Sequence, residues 1–147
     1  MKIFIILTIL ALALQVHSDD IKPIPRKIPP AGISIPQSEL TQIKEKLKEL
    51  NTSLQNLSHP LKADAEIYYK AVDFAIQNSE FYKKAEFNKA KKLLSRGIAR
   101  AKELKSKKPS WTKKGIYTRA YKSEIDNSLQ PYGIEIPEKL DMTKKSP

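Results

Sequence analysis

The sequence predicts a mainly α-helical fold, in which a three-helix domain is followed by a C-terminal β-hairpin. Through residues 38–108 the apolar residues recur at steps of three and four, which is the spacing of amphipathic helices. After Pro109 the pattern changes to two segments rich in Ile, Tyr and Thr around a short polar turn, which is typical of a hairpin. Cysteine is absent, so an apolar core and not disulfides must stabilise this fold.

Residues 1–18 have the organisation of a secretory signal peptide. Lys2 supplies a positive charge before an unbroken apolar stretch from Ile3 to Leu14. Val16 and Ser18 are small enough to occupy the cleavage site. The apolar stretch is shorter than the roughly 20 residues that a membrane-spanning helix needs. We therefore expect cleavage near Ser18, a secreted or periplasmic protein, and no transmembrane segment after that cleavage.

Residues 19–37 form a proline-rich linker. Its prolines are Pro23, Pro25, Pro29, Pro30 and Pro36. Because proline fixes its own φ and disfavours helix in the residue before it, we expect an extended tether with few residues that could join a core. A proline-rich recognition ligand is the alternative interpretation of this segment.

The first predicted helix has a narrow apolar seam with charged residues between the apolar positions. The seam consists of Leu40, Ile43, Leu47, Leu50, Leu54 and Leu57. Ser38, which follows the last proline of the linker closely, is a suitable N-cap. The seam is too short for a free-standing coiled coil, so we expect it to pack against the two helices that follow.

A second helix is predicted over residues 61–78, after a break at Ser58, His59 and Pro60. Apolar and aromatic residues cover much of its circumference, so we expect it to be the central helix of the three. Asp64 and Glu66 lie in its first turn, where negative charge is favoured by the unpaired amides and the helix macrodipole.

A third helix is predicted over residues 84–107, with one apolar side and one basic side. Gly97 lies near the apolar side and indicates either a close approach of another backbone or a tolerated glycine. The basic stripe on the opposite side consists of Lys89, Lys92, Arg96 and Arg100 and continues through Lys102, Lys105, Lys107, Lys108, Lys113 and Lys114, with Trp111 among them. We favour a solvated helix face for this stripe over a surface that grips phosphates or an anionic polymer.

Residues 116–123 and 129–136 are the two predicted strands of the hairpin. Asp126 and Asn127 lie between them and tolerate the backbone conformations that a tight turn requires. Pro131 cannot donate a ladder hydrogen bond, so its strand should lie at an edge or carry a bulge. Two strands alone are marginal in water, so the hairpin needs a larger sheet or firm packing on the helices.

The chain contains no recognisable catalytic, cofactor-binding or metal-binding motif, and we assign no residue to any of these roles. His59 is the only histidine after the predicted signal peptide. It would need Ser58 or Ser123 as a nucleophile. It would also need Asp126 or Asp64 as an orienting acid, and the spacing supports no such triad. The sequence has no G-x-S-x-G elbow, no H-E-x-x-H and no glycine-rich phosphate loop. We expect this chain alone to be inactive as an enzyme.

The charge balance favours anionic neighbours without identifying one. The net charge is +11, and loss of residues 1–18 removes one lysine and no acid. Such a balance attracts lipid head groups, cell-envelope polymers and nucleic acid alike. Export makes nucleic acid an unexpected partner, so an autonomous basic helical module that binds an anionic cell-envelope polymer is one functional alternative.

A second hypothesis about the function rests on particular residues between His59 and Leu140. In the second and third helices they are Ala63, Asp64, Glu66, Ile67, Lys70, Ala71, Val72, Asp73, Ala90, Lys92, Leu93, Leu94, Gly97 and Arg100, with Pro109, Trp111 and Thr112 at the exit. The most specific run is continuous from Tyr121 to Gly133, with Pro137 after it. This region resembles the N-terminal region of secreted bacterial α/β-hydrolases of the prolyl oligopeptidase type. Asn127 stands where that group has glycine, and both residue types tolerate positive φ.

The resemblance implies a helical segment that leads into the first β-hairpin of an α/β-hydrolase sheet. Residues 109–147 would then be this hairpin and the start of a truncated hydrolase domain. The partner that the resemblance implies is the missing C-terminal hydrolase domain, which would supply the oxyanion loop, the nucleophile elbow and the triad. We expect five residues of the run from Tyr121 to Gly133 to be structural joint residues and not active-site groups. These joint residues are Tyr121, Ser123, Asp126, Gln130 and Tyr132.

Overall fold

The computed structural model describes residues 30–141. The predicted signal peptide (residues 1–18) and most of the predicted linker lie outside these residues, as does the C-terminal segment 142–147. Within the described range, three helices precede a two-stranded antiparallel sheet, which confirms the predicted fold class. No helix between residues 30 and 141 has both the length and the apolar character that crossing a membrane would require.

The elements follow one another with short connections. Helix α1 spans Gln37–Gln55, α2 spans Ala63–Gln77, α3 spans Ala85–Lys105, a 3-10 turn spans Ser110–Thr112, β1 spans Gly115–Lys122 and β2 spans Leu129–Ile136. The predicted second and third helices extend slightly beyond these bounds, because the flanking residues form turns. Such differences are ordinary at helix ends, where the hydrogen bonding changes to turn types.

The N-cap predicted for α1 is wrong. The helix already begins at Gln37, and Pro36 occupies the N-cap position in an extended conformation with φ −57° and ψ 143°. The carbonyl of Pro36 accepts a hydrogen bond from the amide of Leu40 at 2.9 Å, so Ser38 lies inside the first turn. Proline suits this boundary because its fixed φ is compatible with the extended residue before a helix.

The apolar seam of α1 is buried, as predicted. Its buried members are Ile43, Leu47, Leu50 and Leu54. They join one continuous core with the buried faces of α2 and α3 and with Trp111 from the 3-10 turn. The core therefore extends from the helices to the base of the hairpin.

Helix α3, and not α2 as predicted, is the middle helix of the three. It packs along both α1 and α2, whereas α2 lies between α3 and the hairpin. Small buried residues on α3, among them Ala90 and Gly97, let both neighbours approach closely. A Cβ atom at Gly97 would lie 2.7 Å from Leu50 Cδ2 and 3.0 Å from Tyr68 Cβ. This confirms the close approach that Gly97 indicated.

The C-terminal end of the predicted linker belongs to the helical domain. Residues 30–36 have no regular secondary structure, which agrees with an extended segment. The side chains of Ile33 and Ile35 nevertheless pack against the core, and the Ile33 amide donates to the Phe81 carbonyl at 2.6 Å. Gly32 passes so close to the carbonyl of Ser79 that a Cβ atom would overlap with it.

The packing at Gly97 can be tested by substitution. We expect Gly97→Val to lower the free energy of unfolding by about 2 kcal/mol, because the new side chain must displace Leu50 or the backbone of α2. Gly133→Val is the matched control, since nothing lies within 4 Å of a Cβ atom there and valine suits a strand. Urea unfolding followed by circular dichroism measures both. Equal stability of the two variants would contradict this packing.

Candidate functional site at the joint between the helices and the hairpin

The carboxylate of Asp64 joins α2, the 3-10 turn and β1. Asp64 is in the first turn of α2 and is 0% exposed. Its Oδ2 accepts hydrogen bonds from Trp111 Nε1 at 2.9 Å and from Arg119 Nε at 2.6 Å. Its Oδ1 accepts one from the backbone amide of Ala120 at 2.7 Å. The helix macrodipole alone therefore does not account for this residue, and the sequence analysis missed its main role.

A buried carboxylate is stable only when charge and hydrogen bonds compensate its loss of water. Here Arg119 supplies the charge, in an ion pair in which the arginine side chain is 15% exposed. The indole of Trp111 and the amide of Ala120 supply the remaining donors. Loss of the carboxylate would leave all three donors without an acceptor in a dry site, so Asp64 is the anchor of the hairpin.

Arg100 of α3 reinforces the same joint. Its Nη1 donates to the carbonyl of Asp64 at 2.9 Å and to the carbonyl of Thr118 at 2.7 Å. Its guanidinium carbon lies 5.1 Å from the ring centre of Tyr68 and 4.6 Å from that of Trp111. Burial lowers the pKa of Arg100, whereas Tyr68 and Asp64 act to raise it. Arginine stays charged despite such a decrease, so the cation–π contacts are retained.

The predicted basic stripe is only partly a solvated face. Lys89, Lys92 and Arg96 are exposed, in agreement with that prediction. For Arg100 the prediction is wrong, because this side chain is half-buried against the hairpin. Trp111 is not among exposed basic residues either, since it is 2% exposed in the core.

The edge of β1 that faces away from β2 is occupied by the helices. Ala120 is opposite Pro131 in the register, and its amide bonds to Asp64 instead of to β2. In an antiparallel ladder, hydrogen-bonded and non-hydrogen-bonded pairs alternate. The pair of Thr118 and Gly133 is therefore also non-hydrogen-bonded, and the Thr118 carbonyl is bonded to Arg100. Side chains of α2 and α3 thus cover this edge at Thr118 and Ala120.

The opposite edge of the sheet is open beyond Leu129 in the described part of the chain. By the same alternation, the outward backbone groups of β2 belong to Leu129, Pro131, Gly133 and Glu135. The Leu129 carbonyl accepts a hydrogen bond from Lys70 Nζ of α2 at 2.7 Å. Within residues 30–141 no hydrogen bond is recorded for the outward groups of Pro131, Gly133 and Glu135. We call these three residues the free edge. The register runs through Pro131 without a bulge, which confirms the prediction of an edge position for this proline.

The turn at the tip of the hairpin is ordered and presents an apolar side chain to solvent. Asp126 Oδ1 accepts from the amide and the hydroxyl of Ser128 at 3.1 and 2.8 Å. Asn127 has φ 57°, the left-handed conformation that glycine adopts easily. Ile125 is 98% exposed at this tip, although its amide is held by Ser123 Oγ at 3.2 Å.

The predicted joint residues lie in the turn-side half of the hairpin and at its tip. Tyr121 directly follows Ala120, whose amide bonds to Asp64, and Tyr132 is opposite Arg119 in the register. The rings of Tyr121 and Tyr132 are 6.1 Å apart at their centres and both are exposed. Gln130 Nε2 donates to Ser128 Oγ at 2.7 Å, which links β2 to the turn.

The triad considered around His59 is not assembled among residues 30–141. His59 Nδ1 accepts a hydrogen bond from the amide of Leu61 at 3.0 Å, a local contact in the connection before α2. The two candidate acids are engaged elsewhere, Asp64 with β1 and Asp126 in the turn at the hairpin tip. Between residues 30 and 141, no group of three or more His, Cys, Asp or Glu side chains is placed to hold a metal ion.

Comparisons with protein-family models, with curated proteins and with solved structures give no match.

The anchor role of Asp64 predicts a large loss of stability in Asp64→Asn. The new amide group must face at least one of the three donors, so we expect the free energy of unfolding to fall by about 3–5 kcal/mol. Asp73→Asn is the matched control on the same helix, because Asp73 contacts only Gln77 at an exposed position. It should stay within about 0.5 kcal/mol of the wild type in urea unfolding. A small effect of both variants would contradict the anchor.

The hydrogen bonds at the tip predict the titration of Asp126. The hydroxyl of Ser128, with help from Ser123 and the Ser128 amide, lowers the pKa of Asp126. These donors stabilise the carboxylate, so it should protonate only at a more acidic pH than an ordinary aspartate. In an NMR pH titration we expect Ser128→Ala to raise this pKa, and Ser106→Ala, a distant control, to leave it unchanged. An ordinary pKa in the wild type would show that the turn is not formed in solution.

Proposed function

We propose that this chain is the non-catalytic N-terminal part of an exported serine hydrolase of the prolyl oligopeptidase type, a peptidase or an esterase. In this proposal the three helices carry the hairpin, and the hairpin is the joint to the catalytic sheet. The observation that carries the proposal is the difference between the two edges of the hairpin. Helix side chains hold the β1 edge at Thr118 and Ala120, whereas the β2 edge is open from Pro131 to Glu135.

The free edge favours an added strand beside β2. Asp64 and Arg100 already occupy the Ala120 amide and the Thr118 carbonyl, so a strand added to β1 would have to displace these contacts. Gly133 and Glu135 offer amides and carbonyls there, while Pro131 lacks the donor at one end. A small side chain at Gly133 leaves room for a close neighbour, since nothing lies within 4 Å of a Cβ atom at that position.

Exposed apolar side chains on the hairpin support the same joint. Ile116 is 79% exposed on β1, and Ile125 is 98% exposed at the tip. The half-exposed rings of Tyr121 and Tyr132 lie next to each other on the other face of the ribbon. A two-stranded ribbon with both faces partly uncovered is marginal in water, and packing against a larger sheet would cover these groups.

We expect the isolated chain to be inactive as a hydrolase. A serine hydrolase needs a nucleophile, a base, an acid and oxyanion donors in one place. His59 is engaged in a local hydrogen bond with the Leu61 amide, and the nucleophile-elbow motif is absent from the sequence. The predicted signal peptide at residues 1–18 supports an extracytoplasmic place for the whole protein.

Amide hydrogen exchange on the longer protein tests this joint. Reading the coding sequence beyond Pro147 should reveal an in-frame strand and a G-x-S-x-G motif. In the longer protein, the amides of Gly133 and Glu135 should exchange about tenfold more slowly than in residues 19–147 alone. The amides of Tyr132 and Ile134 are internal controls, because they face β1 in both forms.

Two results would contradict the hydrolase proposal. A stop codon directly after Pro147 would remove the partner that the free edge requires. Peptidase or esterase turnover by residues 19–147 alone, abolished in His59→Ala, would show that the chain is itself an enzyme. Unchanged exchange at Gly133 in the longer protein would place the added strand elsewhere.

A basic module for anionic cell-envelope polymer is the second candidate. It is supported by the exposed lysines at and after the C-terminal end of α3, among them Lys105, Lys107 and Lys108. Co-sedimentation of residues 19–147 with purified anionic cell-wall polymer distinguishes the two proposals. Salt-sensitive binding that is lost in a triple Lys→Gln variant of these positions would favour the basic module.

A further inference from the structure

A cleft of about 460 Å³ lies between the C-terminal half of α3 and the hairpin. Its aromatic lining consists of Tyr68, Trp111 and Tyr117, and its charged lining consists of Arg96, Arg100 and Glu103. This volume is within the range of about 300–1,000 Å³ that small-molecule sites occupy. The cleft shares Gly133 with the free edge but contains no residue of the hairpin tip, and the proposed function assigns no role to its two arginines.

Arg100 has unused hydrogen-bond donors in this cleft. Its Nη1 group is bonded to the carbonyls of Asp64 and Thr118. The Nε and Nη2 groups of a guanidinium are also donors, and within residues 30–141 no hydrogen bond is recorded for them. The nearby carboxylate of Asp64 cannot serve them, because its oxygens already accept from Trp111, Arg119 and Ala120.

Arg96 adds a second guanidinium, one helical turn before Arg100. It is exposed and lines the cleft, and in the described part of the chain no hydrogen bond or ion pair is recorded for it. Among the described residues, Glu103 is the one acidic residue that lines the cleft, and its Oε2 accepts a hydrogen bond from the Ser110 amide at 2.6 Å. The two arginines therefore leave the cleft with an excess of positive charge.

We propose that this cleft binds a carboxylate that is carried on a flat apolar group. Two guanidinium groups with free donors match the paired oxygens of a carboxylate, a geometry that lysine does not provide. The exposed side chain of Ile116 and the partly buried ring of Tyr117 line the same cleft and offer apolar surface to a flat group. The inference does not depend on the hydrolase proposal, because all of its residues are in this chain.

Trp111 gives a direct readout, because it is the only tryptophan of the chain and lines the cleft. Titration of the full chain with benzoate should change its fluorescence to saturation. Benzamide, which has the same shape without the charge, should give no saturable change. A saturable response of equal strength to benzamide would overturn the proposal, as would the absence of a response to benzoate.

Variants on α3 test whether the arginine and not the overall charge is responsible. We expect Arg96→Gln to weaken benzoate binding about tenfold, because it removes a charged hydrogen-bond donor from the cleft. Lys92→Gln removes the same charge from an exposed position outside the cleft and should leave the affinity nearly unchanged. Equal weakening by both variants would show diffuse electrostatic attraction and would overturn the proposal.

Glu103→Gln provides a test with the opposite sign. It removes the negative charge from the cleft and retains an oxygen that can accept from the Ser110 amide, so benzoate should bind more tightly. Thermal unfolding of each variant reports whether the fold is intact. If Arg96→Gln unfolds more easily than the wild type, the affinity of Glu103→Gln decides: unchanged or weaker binding would overturn the proposal.

Discussion

The rest of this structure depends on a single buried carboxylate. A two-stranded hairpin is marginal in water, and the hairpin here is held to the helices by the contacts of Asp64 with β1. The three donors to this carboxylate come from the 3-10 turn and from β1, far away in the sequence. Because a charge can be buried only with complete compensation, the same contacts that hold the hairpin also fix where it lies.

The position of the hairpin determines which groups remain available. Because the Ala120 amide and the Thr118 carbonyl are bonded to the helices, the open backbone groups for an added strand lie mainly on β2. The same contacts draw Arg100 away from solvent and place it beside two aromatic rings. The free edge and the cleft between α3 and the hairpin are thus two consequences of the same contacts.

Local patterns in the sequence predict much of this fold. The seam around Leu50, the close approach at Gly97 and the edge position of Pro131 each follow from a property of the residue or of its immediate neighbours. Such features are accessible because periodicity, the missing Cβ of glycine and the missing donor of proline act locally.

The anchor itself was missed because each member had a sufficient local explanation. Asp64 was explained by the helix macrodipole, and Arg100 by its place in a basic stripe. Asp64 instead bonds to Trp111, 47 residues away in the sequence. Arg100 bonds to Thr118, 18 residues away. One signal could have found them: a lone tryptophan in a small core needs an acceptor for its indole N–H. The central place of α3 was also missed, because apolar circumference favoured α2 while small buried residues decided the packing.

Hydrogen exchange at the amide of Ala120 in residues 19–147 tests the central claim most directly. This amide is on the outward side of β1 and has no strand partner, yet it donates to the buried carboxylate of Asp64 at 2.7 Å. It should therefore exchange almost as slowly as the core amides of α3, which open only on global unfolding. Exchange as fast as that of an unprotected loop amide would contradict the account, because the helices would then leave the edge of β1 uncovered.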